Sequence, residues 1–128
     1  MYTDPSVTSH MIEAKIQEAI ESKCYDESSD QYAAYGFSKA CLNVLTRDVA
    51  DMYPSLIVNA CTPGFILTDM TRDIGATNPP ENGTLSPLHL LFSESIGSGH
   101  YYGSDGLRSP LDRYRAPGRF LLIEVDFV

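Results

Sequence analysis

A short apolar run that follows a long helical pattern constrains the fold of this 128-residue chain most strongly. The run covers residues 56–62, is rich in β-branched side chains, and is bounded by Pro54 and by the pair Pro63-Gly64. Such a run is typical of a buried strand in a parallel sheet, where both faces of the strand are covered. We therefore expect an α/β fold in which residues 56–62 form one of the parallel strands.

Two helices are predicted before this strand. Residues 8–22 place an apolar stripe beside charged side chains, which is the pattern of an amphipathic helix. Residues 31–52 form a longer helical pattern with apolar side chains on more than one side, and Pro54 ends it. A helix with two apolar faces usually lies between a core and a second packing partner.

Turn residues and short apolar runs divide the rest of the chain. We expect a loop with a short helix over 63–74 and a turn-rich loop over 75–83. A helix should then start with Ser86 as its cap and Pro87 at its first position. A short strand is predicted at 101–102, and residues 120–128 form a strand-forming run. The neighbouring arginines are predicted to lie in a solvated, turn-rich segment; they are Arg108, Arg113, Arg115 and Arg119.

Composition excludes several classes of function. The net charge of −8 argues against a nucleic-acid surface, since phosphate binding requires clustered basic side chains. No apolar run approaches the roughly 20 residues that span a bilayer, so we expect no membrane segment. Three cysteines form neither a CxxC pair nor a cluster with the histidines, and we predict no metal site. An odd cysteine count without a secretory signal favours a reducing, cytoplasmic location.

A tyrosine and a lysine four residues apart are the strongest candidates for chemistry. Tyr35 and Lys39 lie in the predicted long helix, so their side chains leave the same face one turn apart. A lysine beside a phenol favours the phenolate, which prepares the tyrosine to pass a proton to a substrate oxygen. The alternative is a core tyrosine whose lysine extends to solvent.

Two motifs together closely resemble the short-chain dehydrogenase/reductase family. Tyr35-Gly-Phe-Ser-Lys39 matches its YxxxK active-site helix, and Pro63-Gly-Phe-Ile-Leu-Thr68 matches its PGxxxT cofactor loop. The helix over 8–22 is similar to the insert found in carbonyl reductases. The resemblance covers residues 1–118 and implies the C-terminal half of a doubly wound Rossmann-type parallel sheet, with a divergent tail over 119–128.

The resemblance implies a role for each motif residue. Tyr35 would protonate a carbonyl oxygen, and Lys39 would bond the nicotinamide ribose and assist the tyrosine. Pro63 and Gly64 would begin the cofactor loop, whose backbone near Ile66 would hold the nicotinamide carboxamide with help from the Thr68 hydroxyl. For Thr68 the alternative role is the cap of a short helix over 69–74. The implied cofactor is NADPH, with NADH left open.

The implied function is an NADP(H)-dependent oxidoreductase that reduces a small-molecule carbonyl compound to an alcohol, as a monomer. The chain contains no GxxxGxG turn for the cofactor pyrophosphate, and we expect the family's catalytic serine upstream; Ser6, Ser9 and Ser22 are weaker candidates. The sequence leaves two alternatives open. One is a catalytically inactive truncated fragment without the dinucleotide-binding half; the other is an epimerase or dehydratase built on the same tyrosine and lysine.

Overall fold

A computed structural model describes residues 6–22, 31–110 and 115–118, with the backbone alone for residues 31–33. The described α-helices and strands follow in chain order as α1 (Ser9–Ser22), α2 (Gln31–Met52), β1 (Ala60–Cys61), α3 (Leu85–Phe92), β2 (Tyr101–Tyr102) and β3 (Arg108–Ser109). Two 3₁₀ helices, Arg72–Ile74 and Pro80–Thr84, lie between β1 and α3. Within these ranges, none of the helices has the length and apolar character needed to cross a bilayer.

The two predicted N-terminal helices are confirmed, and they pack against each other. Val7, Ile12 and Val44 form a buried cluster between them, with Cys41 partly buried beside it. A polar contact fixes the start of α1, because the backbone N–H of Ser9 donates to Oδ2 of Asp48 on α2 at 2.6 Å. This small core therefore orients α2, the helix that carries the Tyr35 and Lys39 pair.

The predicted strand over 56–62 is shorter and less buried than expected. Only Ala60 and Cys61 have strand geometry, and Leu56 and Ile57 are exposed, with Ile57 at 70%. The reason is the position of β1 at the end of the sheet order β1-β2-β3, because one of its edges has no strand partner among the described residues. A run patterned for burial on both faces needs neighbours that cover it.

The sheet is mixed rather than wholly parallel. Strand β1 pairs with β2 in parallel, as expected for an α/β fold, whereas β2 pairs antiparallel with β3. Strand β3 falls in the segment that the sequence analysis assigned to turns, so that assignment is wrong at Arg108 and Ser109. The parallel pair agrees with the α/β expectation. The doubly wound arrangement stays a prediction, and residues 120–128 lie outside the described part of the chain.

The segment before α3 also differs from expectation. A 3₁₀ helix over Pro80–Thr84 runs directly into α3, which begins at Leu85. Ser86 is therefore not a cap but a fully buried residue in the first turn, and Pro87 is the third helical residue. Proline is tolerated there because the first-turn N–H groups have no partner within the helix.

Candidate active site

A cleft of about 590 Å³ opens where the chain leaves β1 and β2. Thr62 and Gly64 follow β1, while Gly103 and Ser104 follow β2, and all four line the cleft together with Tyr35 from α2. The position agrees with the general rule that ligands in α/β folds bind beyond the carboxyl ends of parallel strands. Among the described residues, no group of three His, Cys, Asp or Glu side chains is arranged to hold a metal ion.

Tyr35 and Lys39 lie together at this cleft. The Tyr35 side chain is on the cleft wall and 64% exposed, so it is not the core tyrosine of the alternative interpretation. The Lys39 ammonium lies over the Tyr35 ring, 5.4 Å from its centroid. This distance is that of a cation–π contact, in which the positive charge faces the electron-rich ring. The helical spacing thus brings the two groups together as the sequence predicts.

Gly64 holds a conformation that a side chain would disturb. Its φ angle of +86° lies in the left-handed region, and a Cβ atom there would approach the Ser104 Cβ to 2.9 Å. The residue therefore allows the loop after β1 to pass close to the turn after β2. The resulting narrow junction forms part of the cleft wall.

Thr71 organises the loop between Gly64 and the first 3₁₀ helix, and the sequence analysis missed it. Its Oγ1 donates to the Ile66 carbonyl at 2.5 Å and accepts from the Thr68 backbone N–H at 2.9 Å. The Thr68 Oγ1 lies 3.0 Å from the same oxygen. A hydroxyl three residues after Thr68, at a spacing common for local side-chain-to-backbone bonds, is the signal that could have identified it.

The hydrogen-bond direction at Thr71 fixes what Thr68 can offer a ligand. A hydroxyl has one hydrogen, and the Thr71 hydroxyl uses its hydrogen in the bond to the Ile66 carbonyl. In the contact between the two hydroxyls, Thr68 is therefore the donor and Thr71 the acceptor. The lone pairs of the exposed Thr68 hydroxyl are then available to accept a hydrogen bond. The capping alternative is wrong: Thr71 occupies the cap position of the Arg72–Ile74 helix, and no side chain bonds its N–H groups.

Not all of the predicted site residues meet at the cleft. Tyr35 and Gly64 line it, whereas Lys39, Ile66 and Thr68 lie outside its lining, as does Pro63. Ile66 is buried, and its backbone is tied to Thr71. The candidate serines Ser6, Ser9 and Ser22 are also absent from the cleft wall. The cleft is therefore built around the tyrosine and the glycine, and the loop residues lie beside it.

Tyr101 brings a second phenol to the cleft. Burial raises the pKa of Tyr101 above its ordinary value, a hydrogen bond with the Thr62 side chain acts in the opposite direction, and the nearby Cys61 and Tyr35 raise it further. The Tyr101 hydroxyl consequently keeps its proton at neutral pH. It stands as a neutral hydrogen-bonding group on the same cleft wall as Tyr35.

Arg115, which lines the cleft, contradicts the expectation of a solvated arginine segment. The Arg115 side chain is only 1% exposed and forms an ion pair with Asp105. Arg108 is exposed, as expected, while Arg113 and Arg119 lie outside the described residues. Burial of a guanidinium requires partners for its charge and its N–H groups, and the turn after β2 supplies them.

Sequence and structure comparisons find relatives for part of the chain. No family model matches. Short-chain dehydrogenase/reductase 1 of Saponaria officinalis is 41% identical over 71 residues, which is 55% of this chain and 23% of that protein. Salutaridine reductase of Papaver somniferum is 39% identical over 70 residues, 55% of this chain and 22% of that protein. Carbonyl reductase (NADPH) 3 of Rattus norvegicus is 33% identical over 82 residues, 59% of this chain and 29% of that protein.

A solved structure shares the fold. The structure of salutaridine reductase from Papaver somniferum matches with a TM-score of 0.63 and 28% sequence identity, over 79% of this chain and 36% of that one. The chain spans about a quarter of the length of the curated relatives it matches. The likeness in both sequence and structure supports the α/β assignment for the part of the chain that aligns.

Proposed function

We propose that this chain, a relative of the short-chain dehydrogenase/reductase family, carries the proton-donating part of an NADPH-dependent carbonyl-reducing site. The observation that carries the proposal is the exposed Tyr35 phenol on the cleft wall, with the Lys39 ammonium 5.4 Å from its ring centroid. A phenol in the core could not reach a ligand, whereas Tyr35 is exposed on the cleft wall with a cation beside its ring.

In the proposed reaction, the Tyr35 hydroxyl donates its proton to the substrate carbonyl oxygen as the carbonyl carbon is reduced. The positive charge of Lys39 stabilises the phenolate that remains. Because Tyr35 is 64% exposed, water can return the proton to it after the alcohol leaves. The neutral Tyr101 hydroxyl on the same wall can bond a polar substrate group near the reacting carbonyl.

The residues beside the cleft suit a nicotinamide. Gly64 lies in the cleft lining, where its lack of a side chain lets the loop after β1 pass close to Ser104, and the Thr68 hydroxyl offers an acceptor to a carboxamide N–H. Lys39 would bond the ribose hydroxyls, as the family resemblance implies. A bound nicotinamide would supply the hydride, which protein side chains cannot. The relatives named as NADPH carbonyl reductases support NADPH as the form used.

The test is carbonyl reduction by Tyr35→Phe, followed as consumption of NADPH. Loss of a general acid lowers a rate by about 10²–10⁴-fold, and we expect kcat to fall by that order while the fold is kept. Tyr53→Phe is the matched control, because Tyr53 is also exposed, directly follows α2 and does not line the cleft. Equal activity of the two variants would contradict the role of Tyr35.

A second candidate function is that of a non-catalytic remnant. It is the alternative that the sequence analysis leaves open; the chain spans 23% of short-chain dehydrogenase/reductase 1 of Saponaria officinalis and contains no GxxxGxG turn. A remnant would neither bind NADPH saturably nor turn over a carbonyl compound. The two candidates therefore differ in an equilibrium binding measurement as well as in activity.

A further inference from the structure

The cleft lining contains a buried cation, Arg115, whose five N–H donors all have acceptors. Arg115 lines the cleft, yet its side chain is 1% exposed. Its Nε donates to the Ser109 Oγ at 2.9 Å, and its two Nη atoms donate to both Asp105 carboxylate oxygens and to the carbonyls of Leu107 and Ala116. A guanidinium has five N–H donors, and these are five acceptors.

The Asp105 carboxylate is satisfied in the same way. Besides the two Arg115 bonds, Oδ1 accepts from the backbone N–H of Leu107 at 3.1 Å and Oδ2 from that of Gly118 at 2.7 Å. The pair is bidentate, a geometry that gives strong, charge-assisted hydrogen bonds. Positive and negative charge therefore cancel inside the protein, and neither group is left to bind a ligand.

The rest of the lining carries no formal charge. Of the described residues that line the cleft, Arg115 is the only Lys, Arg, Asp or Glu. The other polar groups are hydroxyls and one amide, from Tyr35, Thr62, Asn78, Tyr101, Ser104 and Ser109. The Lys39 ammonium lies over the Tyr35 ring, and Lys39 is not part of the cleft lining. With Arg115 neutralised, the described part of the lining offers hydrogen bonds to a ligand but no counter-ion.

We propose that Asp105 is a specificity-determining residue: by neutralising Arg115 it makes the cleft select a neutral substrate over one that carries a carboxylate. The identity of that ligand as a carbonyl substrate rests on the proposed function, whereas the charge selection is a property of the cleft alone. Removing the Asp105 charge would take away a carboxylate that neutralises the buried guanidinium at the wall, and a guanidinium binds anions strongly. The same substitution would thus reverse the preference of the cleft.

The test uses two probes of matched size and shape, 4-(hydroxymethyl)benzamide, which is neutral, and 4-(hydroxymethyl)benzoate, which is an anion. Binding to the whole chain is followed by NMR at the backbone amides of Gly64 and Ser104, without any cofactor. For the unaltered chain we expect the benzamide to bind more tightly. For Asp105→Asn we expect the benzoate affinity to rise about tenfold or more, the effect of one charge-assisted bond, while the benzamide affinity changes little.

Control variants keep the proposal falsifiable if Asp105→Asn does not fold. The double variant Asp105→Asn, Arg115→Met should bind benzoate as the unaltered chain does, because neither charge of the pair remains. Glu18→Gln removes a carboxylate from the exposed Lys15–Glu18 pair and should not change either affinity. Tighter benzoate than benzamide binding to the unaltered chain, no saturable shift with benzamide, or a folded Asp105→Asn variant without the benzoate gain would each overturn the proposal. Because no cofactor is present, the result is independent of whether Tyr35 proves catalytic.

Discussion

The helical region and the turn region of this molecule are held together by different forces. The helical region, formed by α1, α2 and the approach to β1, is rich in apolar side chains but leaves many of them exposed; they include Met11, Ile20, Leu42, Leu45, Leu56 and Ile57. The turn region, residues 101–118 as far as described, is poor in apolar pattern yet buries the guanidinium of Arg115. The helical region therefore exposes many of its apolar side chains, whereas the turn region buries a charged one.

The contrast shows that burial needs a partner surface, whereas a hydrogen-bond network can be completed locally. Apolar side chains gain free energy only when another surface removes them from water. The core between α1 and α2 supplies such a surface for Val44 but not for Leu45, which is its neighbour in the chain. The five acceptors described for Arg115 lie within ten residues of it in the chain, so this network is built by the turn region itself.

Breaking the Asp105–Arg115 pair should have the largest effect on stability. Removing one partner of a buried ion pair leaves an uncompensated charge and costs about 3–5 kcal/mol, so Asp105→Asn should lower the free energy of unfolding in urea by that amount. The double variant Asp105→Asn, Arg115→Met should be less destabilised than the single one, because no charge remains buried. Glu18→Gln, at an exposed pair, should change the stability by less than about 1 kcal/mol.

A methyl group at Gly103 should disturb the same network by steric overlap. A Cβ atom there would lie 2.4 Å from Nη2 of Arg115 and 3.0 Å from Oδ1 of Asp105. Overpacking of this kind costs about 1–3 kcal/mol, and we expect Gly103→Ala to fall near the upper end because the arginine cannot move without losing its bonds. Gly36→Ala is the control: a Cβ there meets nothing within 4 Å, and alanine favours the helix. Equal destabilisation by the two variants in urea denaturation would contradict the steric account.

In the helical region, neighbouring residues should respond differently to truncation. Val44 is 1% exposed in the α1–α2 core, so Val44→Ala should cost about 2 kcal/mol for the lost methyl groups and the cavity. Leu45 is half exposed, and Leu45→Ala should cost less than about 1 kcal/mol although it removes more atoms. If thermal unfolding shows Leu45→Ala to be the more damaging change, another surface covers Leu45 in solution.

Acid should weaken the turn region gradually. Hydrogen bonds from Arg115 hold the pKa of Asp105 well below its ordinary value of 3.8, and the N–H groups of Gly118 and Leu107 add to this, while burial acts in the opposite direction. Because the unfolded chain binds this proton more readily, the stabilisation is complete above the ordinary pKa and is lost as the pH falls below it. The Asp105→Asn variant should show a flatter decline in stability with acid than Glu18→Gln does. If the stability of the two variants falls equally with acid, protonation of Asp105 is not what weakens the turn region.

The sequence predicts periodic elements well and context-dependent ones poorly. Helices α1 and α2 and the pairing of Tyr35 with Lys39 follow from the 3.6-residue period, which is a local property. The shortness of β1 depends on which strands lie beside it, and residues 56–62 contain no information about that. The burial of Arg115 depends on the turn that brings Asp105 and Ser109 around it. The role of Thr71 depends on the loop path that brings the Ile66 carbonyl to its hydroxyl.

The most direct test of the proposed nicotinamide site is a fluorescence titration of the whole chain with NADPH. We expect a saturable change in nicotinamide fluorescence. The affinity for NADPH should be lower in Lys39→Met, since the lysine beside Tyr35 would bond the ribose. Lys15→Met, which removes a lysine of α1 outside the cleft lining, should bind NADPH as the unaltered chain does. A titration without saturable change, or equal weakening by both lysine variants, would contradict a nicotinamide site at Tyr35 and Lys39.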